Sequence, residues 1–237
     1  MVVDTRQFTG FRPEAIDFLA ELAQNNDRVW FQPRKTEYER LLKEPMEDFV
    51  AALAEAFEAR GVPLQADPKT SIFRIYRDTR FSKDKSPYKA HVGASFPWVE
   101  GSGPDTSISH TEHGNGAYFH LQPGENFAGG GMWHPSKPLL DAFRAAILDD
   151  ERRVRGALED PAFIAEFGPV RSHETLKRVP PGFPPDHPMA ELARYKDLTF
   201  GRRLSDEEVY SPDLPAMLAR AYAAATPVFR FLSNLDA

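Results

Sequence analysis

The sequence predicts an α+β fold in which an antiparallel sheet is flanked by N-terminal and C-terminal helices. Apolar residues recur at helical spacing over residues 12–60, and short β-branched or aromatic segments follow between residues 72 and 122. Helical spacing returns from residue 137. Consecutive strands with short gaps imply antiparallel pairing, and helices grouped before and after the strands are typical of α+β proteins.

The N-terminal part is predicted to form three helices. The first begins at Pro13 and ends at Asn25-Asn26, because proline suits a first helical position and asparagine tolerates the conformation of a helix end. The second begins at Pro33. The third runs from Pro45, and Gly61 ends it.

Strands are predicted at residues 72–77, 89–98 and 117–122, with glycine and proline turn signals between them. A helix follows at residues 137–148, and then a proline-rich loop. A last helical stretch, 212–232, is predicted to break at Pro227, because proline lacks the amide proton that a helix interior needs.

Composition narrows the class of protein. The 237 residues are 41% hydrophobic, and no linker or repeat divides them, so we expect one domain, 1–237. The absence of cysteine excludes disulfides, thiolate zinc sites and cysteine nucleophiles. There is no signal-peptide pattern and no run of 18 apolar residues, which predicts a cytoplasmic protein without a membrane partner. The net charge of −6 argues against a general nucleic-acid coat.

Residues 69–89, which we call the basic segment, carry seven basic and two acidic side chains, a local net charge of +5. The rest of the chain carries −11. Such a segment attracts anions, and arginine can grip a phosphate or carboxylate through two parallel hydrogen bonds. The leading hypothesis is a small ligand that bears phosphate or carboxylate. The residues predicted to bind it are Arg74, Arg77, Arg80, Lys83, Lys85 and Lys89, with Tyr76, Tyr88 or Trp30 stacking on it and Arg28 joining from the first helix end.

Two other interpretations of the basic segment stay open. In the first it is a solvated hairpin whose charges pair with Asp78, Asp84 and acidic helices. In the second it belongs to a non-enzymatic interaction module that docks on an acidic protein or a nucleic-acid backbone. Guanidinium groups that converge in a concavity favour the small ligand, whereas an exposed convex stripe favours the module. Period-two spacing in a strand would place Arg74 and Arg77 on opposite faces.

Histidines supply the candidates for proton transfer or metal binding. His120 lies between apolar neighbours in a predicted strand, which fits a hydrogen-bonded core histidine or an acid–base group. A metal-dependent hydrolase using His110, His113 and His120 is a further alternative. These histidines lack helical ligand spacing, however, so no metal and no cofactor are predicted.

Two short motifs are weak signals. Residues 82–85 match the S-x-x-K spacing of acyl-enzyme nucleophiles, but the segment is turn-prone and the companion motifs are absent, so chance is favoured. Residues 129–131 are three glycines without the flanking residues of a phosphate-binding loop. They indicate close backbone approach or a bulge, with an anion-binding nest of amides as the alternative.

Four phrases together resemble a known family. They are FxGFxPEAxxFLxxLxxNNxRxWF at 8–31, FRIYRDTRFSKDKSPYKAH at 73–91, YFHLQPGENFAGGGMWHP at 118–135 and LKRVPPGFPPDHPMAE at 176–191. The resemblance is to bacterial and fungal conserved hypothetical proteins, a domain of unknown function. It implies a single-domain, soluble, intracellular protein and supplies no activity, cofactor or catalytic residue. The glycine-rich stretch 101–116 is interpreted as a variable hairpin loop.

Overall fold

A computed structural model of the protein describes residues 7–80, 83–100 and 114–235. The N-terminal helices are α1 (Pro13–Gln24), α2 (Arg28–Phe31), α3 (Lys35–Tyr38) and α4 (Glu44–Arg60). A 3₁₀ turn, Gln32–Arg34, joins α2 to α3, and a π-helical turn, Glu39–Lys43, joins α3 to α4. Gly61 ends α4 in the left-handed conformation, with φ of 63°. The predicted start at Pro13 and stop at Gly61 are confirmed.

The strands are β1 (Val92–Pro97), β2 (Asn115–Leu121), β3 (Phe127–Met132) and β4 (Leu198–Arg203). They form one antiparallel sheet in the order β1-β2-β3-β4. Between β3 and β4 lie α5 (Lys137–Asp149), α6 (Glu151–Leu158), α7 (Pro161–Phe167) and α8 (Ala190–Ala193). After β4 come α9 (Asp206–Tyr210), α10 (Leu214–Ala224) and α11 (Thr226–Ser233). The predicted α+β class is therefore confirmed, and the break near Pro227 separates α10 from α11.

One predicted strand is corrected. Residues 71–77 are extended but bend at Ile75, and they pair with two partners instead of one. Phe73 N–H donates to the Gly93 carbonyl at 3.0 Å, whereas Lys89 N–H donates to the Ile75 carbonyl at 2.8 Å. The bend breaks the period of two, so Ile72 and Ile75 both reach the core. The predicted alternation of side chains holds from Arg74 to Arg77, where exposed and more buried residues follow each other, and fails at Ile72.

The sheet has two different faces. Its core face carries Phe96, Phe119 and Phe200, which are buried under helices from both ends of the chain. Phe49 of α4 lies 4.6 Å from Phe119 between ring centroids, and Phe229 of α11 lies 5.4 Å from Phe200. Burying these rings removes a large apolar area from water, which stabilises the sheet against the helices.

Hydrogen bonds also fix the sheet on its helices. Tyr222 of α10 is fully buried, and its hydroxyl donates to the Tyr118 carbonyl at 2.7 Å. The Asn115 side-chain amide donates to the Phe229 carbonyl at 2.7 Å. These contacts position the strand β2 that carries the candidate site. No helix within the described residues is long and apolar enough to cross a membrane.

Candidate functional site

The second face of the sheet, which we call the open face, is defined by strand register. Residues directly opposite each other in antiparallel strands share a face, so the pairing of strands assigns the side chains. One row across the sheet contains Gly93, His120, Phe127 and Arg203. The next contains Ser95, Tyr118, Gly129 and Gly201, and the third contains Pro97, Gly116, Gly131 and Thr199.

Glycine keeps the floor of the open face low. A Cβ on Gly129 would lie 2.3 Å from the Phe200 carbonyl oxygen, and one on Gly131, whose φ is +103°, would lie 2.0 Å from that of Leu198. Both distances are far shorter than any van der Waals contact, so the approach of β4 to β3 requires glycine. The sequence interpretation of these glycines as sites of close backbone approach is confirmed.

A cavity of about 1200 Å³ lies over the open face. Its lining includes Phe73, Lys89, His91, Tyr118, His120, Phe127, Trp133, Arg171, Ser172 and His173. Such a volume exceeds what a small ligand needs, and a mixed aromatic and polar lining is usual in ligand-binding clefts. A smaller cavity, of about 310 Å³, adjoins Phe8, Gly10 and Arg40, and its described lining contains no histidine or tyrosine.

At one end of the cavity two imidazole rings pack together. The centroids of His91 and His120 are 4.4 Å apart, and the ring of Phe127 stacks on the other side of His120 at 4.7 Å. Burial lowers the pKa of His91 to about 4, helped by the neighbouring His120, Lys89 and Arg77. Burial also lowers the pKa of His120, against the opposing influence of Gln122 and Glu125. Both rings are therefore neutral near pH 7.

A chain of hydrogen bonds runs through His120. Its Nδ1 lies 2.9 Å from the Tyr118 hydroxyl, its Nε2 lies 3.1 Å from Gln122 Oε1, and Gln122 Nε2 donates to Glu125 at 2.9 Å. The Glu125 carboxylate accepts only, so Gln122 presents its amide nitrogen to Glu125 and its oxygen to His120. His120 must then carry its proton on Nε2. Its Nδ1 is left as an acceptor, and the Tyr118 hydroxyl donates to it.

At the other end of the cavity, Trp133 contacts two histidine rings. Its centroid lies 4.5 Å from each of His134 and His173, with the rings nearly perpendicular. His134 has a φ of 48°, a conformation that is uncommon outside glycine. The fully buried Asp197 accepts hydrogen bonds from the Ser172 hydroxyl at 2.9 Å and the His173 amide at 2.8 Å. Asp197 thereby fixes the segment that carries Arg171 beside β4.

Cations outnumber carboxylates around the cavity. Lys89, Arg171, Arg202 and Arg203 belong to its described lining, whereas Glu125 and Glu166 are the carboxylates there. Arg171 pairs its backbone with Thr199 next to the third row of the open face, and its side chain is exposed. Lys89 Nζ lies 5.1 Å from the centroid of the Phe73 ring. The cavity therefore combines positive charge at its rim with aromatic surface on its floor.

A match to a family model shows to which proteins the chain is related. A model described as a conserved hypothetical protein family, DUF2461, matches residues 14–231. The chain belongs to this family. Comparison with curated proteins and with solved structures found no match.

In this DUF2461 protein the basic segment does not converge as predicted. Arg77 pairs with Asp84, Arg80 pairs with Asp78 at 2.7 Å, and Lys85 Nζ donates to the Thr79 carbonyl at 2.8 Å. Arg74 and Lys83 are exposed side chains. Of the six predicted cations of the segment, Lys89 is the one whose side chain lines the described cavity.

The carboxylates of the basic segment respond to these contacts. Hydrogen bonds from Arg80 lower the pKa of Asp78 to about 2. Those from Ser86, with a further one from Arg77, lower the pKa of Asp84 to about 2. This pairing agrees with the solvated-hairpin interpretation of the segment, and both carboxylates are exposed, so the pairs add little stability.

The predicted aromatic partners also lie elsewhere. Tyr88 is 1% exposed and packs on Phe31 at 4.1 Å, so its ring belongs to the core and the prediction that it walls a pocket was wrong. Tyr76 is 46% exposed, 5.5 Å from Tyr88. Trp30 is half-buried between Phe18, at 5.5 Å, and the Arg34 guanidinium, at 4.5 Å.

Arg28 lies on α2 as an exposed side chain and is absent from the described lining of the large cavity. Ser82, His110 and His113 lie outside the described residues, so the S-x-x-K and metal-site interpretations stay as sequence hypotheses. Over residues 7–80, 83–100 and 114–235, no three histidine or carboxylate side chains form a set that could hold a metal ion.

Of the residues predicted from the sequence, His120 and Lys89 line the cavity, whereas Tyr118, Trp133, Arg171 and Arg203 were not predicted. Tyr118 could have been found, because residues i and i+2 of a predicted strand share a face and His120 had already been singled out. Trp133 follows the glycine run 129–131 by two residues. No local sequence pattern marks Arg171 or Arg203. Arg171 reaches the cavity from a loop segment beside β4, and Arg203 reaches it from β4, a strand that was not predicted.

Proposed function

We propose that the open face of the sheet binds a small molecule that has a carboxylate or phosphate group and a planar or apolar body. The observation that carries the proposal is the cavity of about 1200 Å³, floored by glycine and aromatic rings and rimmed by Lys89, Arg171 and Arg203. The anionic ligand of the leading sequence hypothesis is kept, but its site moves from the basic segment to the sheet.

Each part of the cavity suits one part of such a ligand. Arginine can hold an oxyanion through two parallel hydrogen bonds, and lysine adds a point charge. Phe73, Phe127 and Trp133 offer apolar surface to the ligand body. The glycines matter because a Cβ at their positions would raise the floor and close the space that a planar ring needs.

Phenyl phosphate is a suitable probe because it joins an oxyanion to a planar ring. Binding to the folded state alone raises the melting temperature by mass action. We expect a concentration-dependent rise, and NMR shift changes at Trp133 and Phe127 that trace the cavity. Phosphate alone should bind more weakly, since it leaves the aromatic surface bare.

Matched variants test the assignment. Arg171→Ala should weaken phenyl phosphate binding by about tenfold, as loss of a charge-assisted hydrogen bond does. Lys83→Ala removes an exposed cation outside the described cavity lining and should leave binding unchanged at physiological ionic strength. Equal losses in the two variants would mean that only net charge matters, and the proposal would then be wrong.

The interaction module is the second candidate, and one observation favours it for the basic segment itself. Arg74, Lys83 and Lys85 are exposed side chains outside the described cavity lining, as expected of a surface stripe and not of a pocket. Heparin, a polyanion too large for the cavity, is the probe. If the stripe is a docking surface, Arg74→Glu should abolish salt-sensitive retention on heparin while phenyl phosphate binding persists.

A further inference from the structure

The hydroxyl of Tyr118 lies at the start of the hydrogen-bond chain described above. It donates to His120 Nδ1 at 2.9 Å, and the chain continues through Gln122 to the Glu125 carboxylate. Tyr118 itself is half-buried and lines the cavity. A base, a group that orients the base and a carboxylate at the far end are the arrangement used to activate a hydroxyl.

We propose that Tyr118 is a proton-transfer residue for a ligand held in this cavity, with His120 Nδ1 as the base that accepts the tyrosine proton. The inference rests on the proposed function, because it assigns chemistry to the same cavity. Gln122 and Glu125 are positioning residues, since they act through His120 and hold its second nitrogen.

The proton balance of the step is simple. A ligand X–H bond breaks and its proton passes to the Tyr118 oxygen, while the tyrosine O–H bond breaks and that proton passes to His120 Nδ1. The products are an anionic X⁻ and an imidazolium, and the return of the proton along the same path restores both residues. The imidazolium would be stabilised by its Nε2–H bond to Gln122 and by the negative charge of Glu125.

Three structural facts favour this role over a purely structural hydrogen bond. The His120 ring packs against His91 and Phe127 and has a hydrogen-bond partner at each nitrogen, which together hold its orientation. Gly93 leaves room for the tyrosine, since a Cβ there would lie 2.7 Å from the Tyr118 hydroxyl oxygen. The rim cations Lys89 and Arg203 place positive charge on the face where an anionic product would form.

Arylsulfonyl fluoride labelling tests the pair without a known substrate. In this reaction the tyrosine oxygen attacks sulfur, the S–F bond breaks, an O–S bond forms, fluoride leaves and the base takes the proton. We expect benzenesulfonyl fluoride to label Tyr118 at least about a hundredfold faster than Tyr76, the lower end of the effect that a positioned base gives. Tyr76 is the internal control, because it is 46% exposed and has no histidine partner among the described residues.

Variants separate the relay from mere accessibility. His120→Phe keeps a ring between His91 and Phe127 but removes the base, so Tyr118 labelling should fall to the Tyr76 rate. Gln122→Met removes the hydrogen-bond partner of His120 Nε2 and should lower Tyr118 labelling several-fold. Position 122 is partly exposed, so we expect the fold to tolerate the change. Peptide mass spectrometry gives both rates from one sample, and circular dichroism confirms that each variant is folded.

The outcomes distinguish this inference from the proposed function. Labelling of Tyr118 that is no faster than that of Tyr76, or that is unchanged in both variants, overturns the proton-transfer role even if phenyl phosphate binds. Fast, His120-dependent labelling without phenyl phosphate binding supports the pair and overturns the anion site. When both hold, phenyl phosphate should protect Tyr118 from labelling, and Arg171→Ala should weaken that protection.

Discussion

Asn26 and Tyr88 are joined by two reciprocal hydrogen bonds across 62 residues of chain. The Asn26 side-chain amide donates to the Tyr88 carbonyl at 2.9 Å, and the Tyr88 N–H donates to the Asn26 side-chain oxygen at 3.0 Å. The rings of Phe31 and Tyr88 stack beside this bridge. These contacts therefore connect the N-N-x-R-x-W-F motif directly to the end of the basic segment.

Asn26→Ala should lower the free energy of unfolding by about 1 to 3 kcal/mol, because it leaves both backbone groups of Tyr88 without their partner. Urea unfolding measures the change. Asn25→Ala is the matched control, since the side chain of the exposed Asn25 donates to the Glu21 carbonyl of its own helix. A loss as large in the control would show that the helix end, and not the bridge, is responsible.

Cations of the basic segment should matter little to stability. Arg74, Lys83 and Lys85 are exposed, so replacing each by alanine should move Tm by less than about 2 °C. For Arg74 this differs from the effect that a core-packed strand position would give, because the side chain is exposed. Thermal melts of the three variants check the prediction, and a loss of about 5 °C in any one would contradict it.

Gly93→Ala should disturb the tyrosine–histidine pair without altering either residue. The new methyl group would lie 2.7 Å from the Tyr118 hydroxyl oxygen and 3.0 Å from the Phe119 carbonyl oxygen, so the tyrosine ring must move away. We expect the fold to persist and sulfonyl fluoride labelling of Tyr118 to fall towards that of Tyr76. Gly156→Ala is the control, since a Cβ there meets nothing within 4 Å. Retained fast labelling in Gly93→Ala would contradict the described geometry.

Stability should rise with pH between about 4 and 6.5 because of His91. Burial lowers its pKa in the folded protein to about 4, whereas the unfolded chain protonates it near 6.5, so the unfolded state binds more protons in this window. The lowered pKa of His120 acts in the same direction. Asp78 and Asp84, whose pKa values are about 2, contribute at lower pH. The free energy of unfolding, measured with urea at several pH values, should rise less steeply with pH in His91→Phe than in the unaltered protein.

Local patterns predicted the elements that obey local rules. Pro13 and Gly61 mark helix ends in the structure, the strand at 92–97 falls inside the predicted segment 89–98, and the strand at 115–121 overlaps the predicted segment 117–122. The strand that contains Gly129–Gly131 escaped prediction because glycine has low strand propensity. Glycine is needed in this strand because the neighbouring β4 approaches too closely for any side chain. That approach is a tertiary contact, and no local window of sequence contains it. The prediction of one domain, 1–237, stays a prediction.

The candidate site was predicted in part. His120 was chosen as a proton-transfer candidate, yet its partner is set by the rotation of Tyr118 towards Gly93. The cation count of the basic segment exceeded the number of nearby acids, but Asp78 and Asp84 fold back on Arg80 and Arg77. The net charge of the basic segment therefore identified a surface of exposed cations. The cavity on the open face depends instead on the pairing register of strands that are distant in sequence.

Extended segments lie along both outer strands of the sheet. Residues 71–73 bond to β1, and Arg171 exchanges two backbone hydrogen bonds with Thr199 of β4. An outer strand with free amides invites another chain to add to it, which leads to swapping or aggregation. Here those amides are already engaged at both margins. A second protein therefore cannot extend the sheet by adding a strand at these positions.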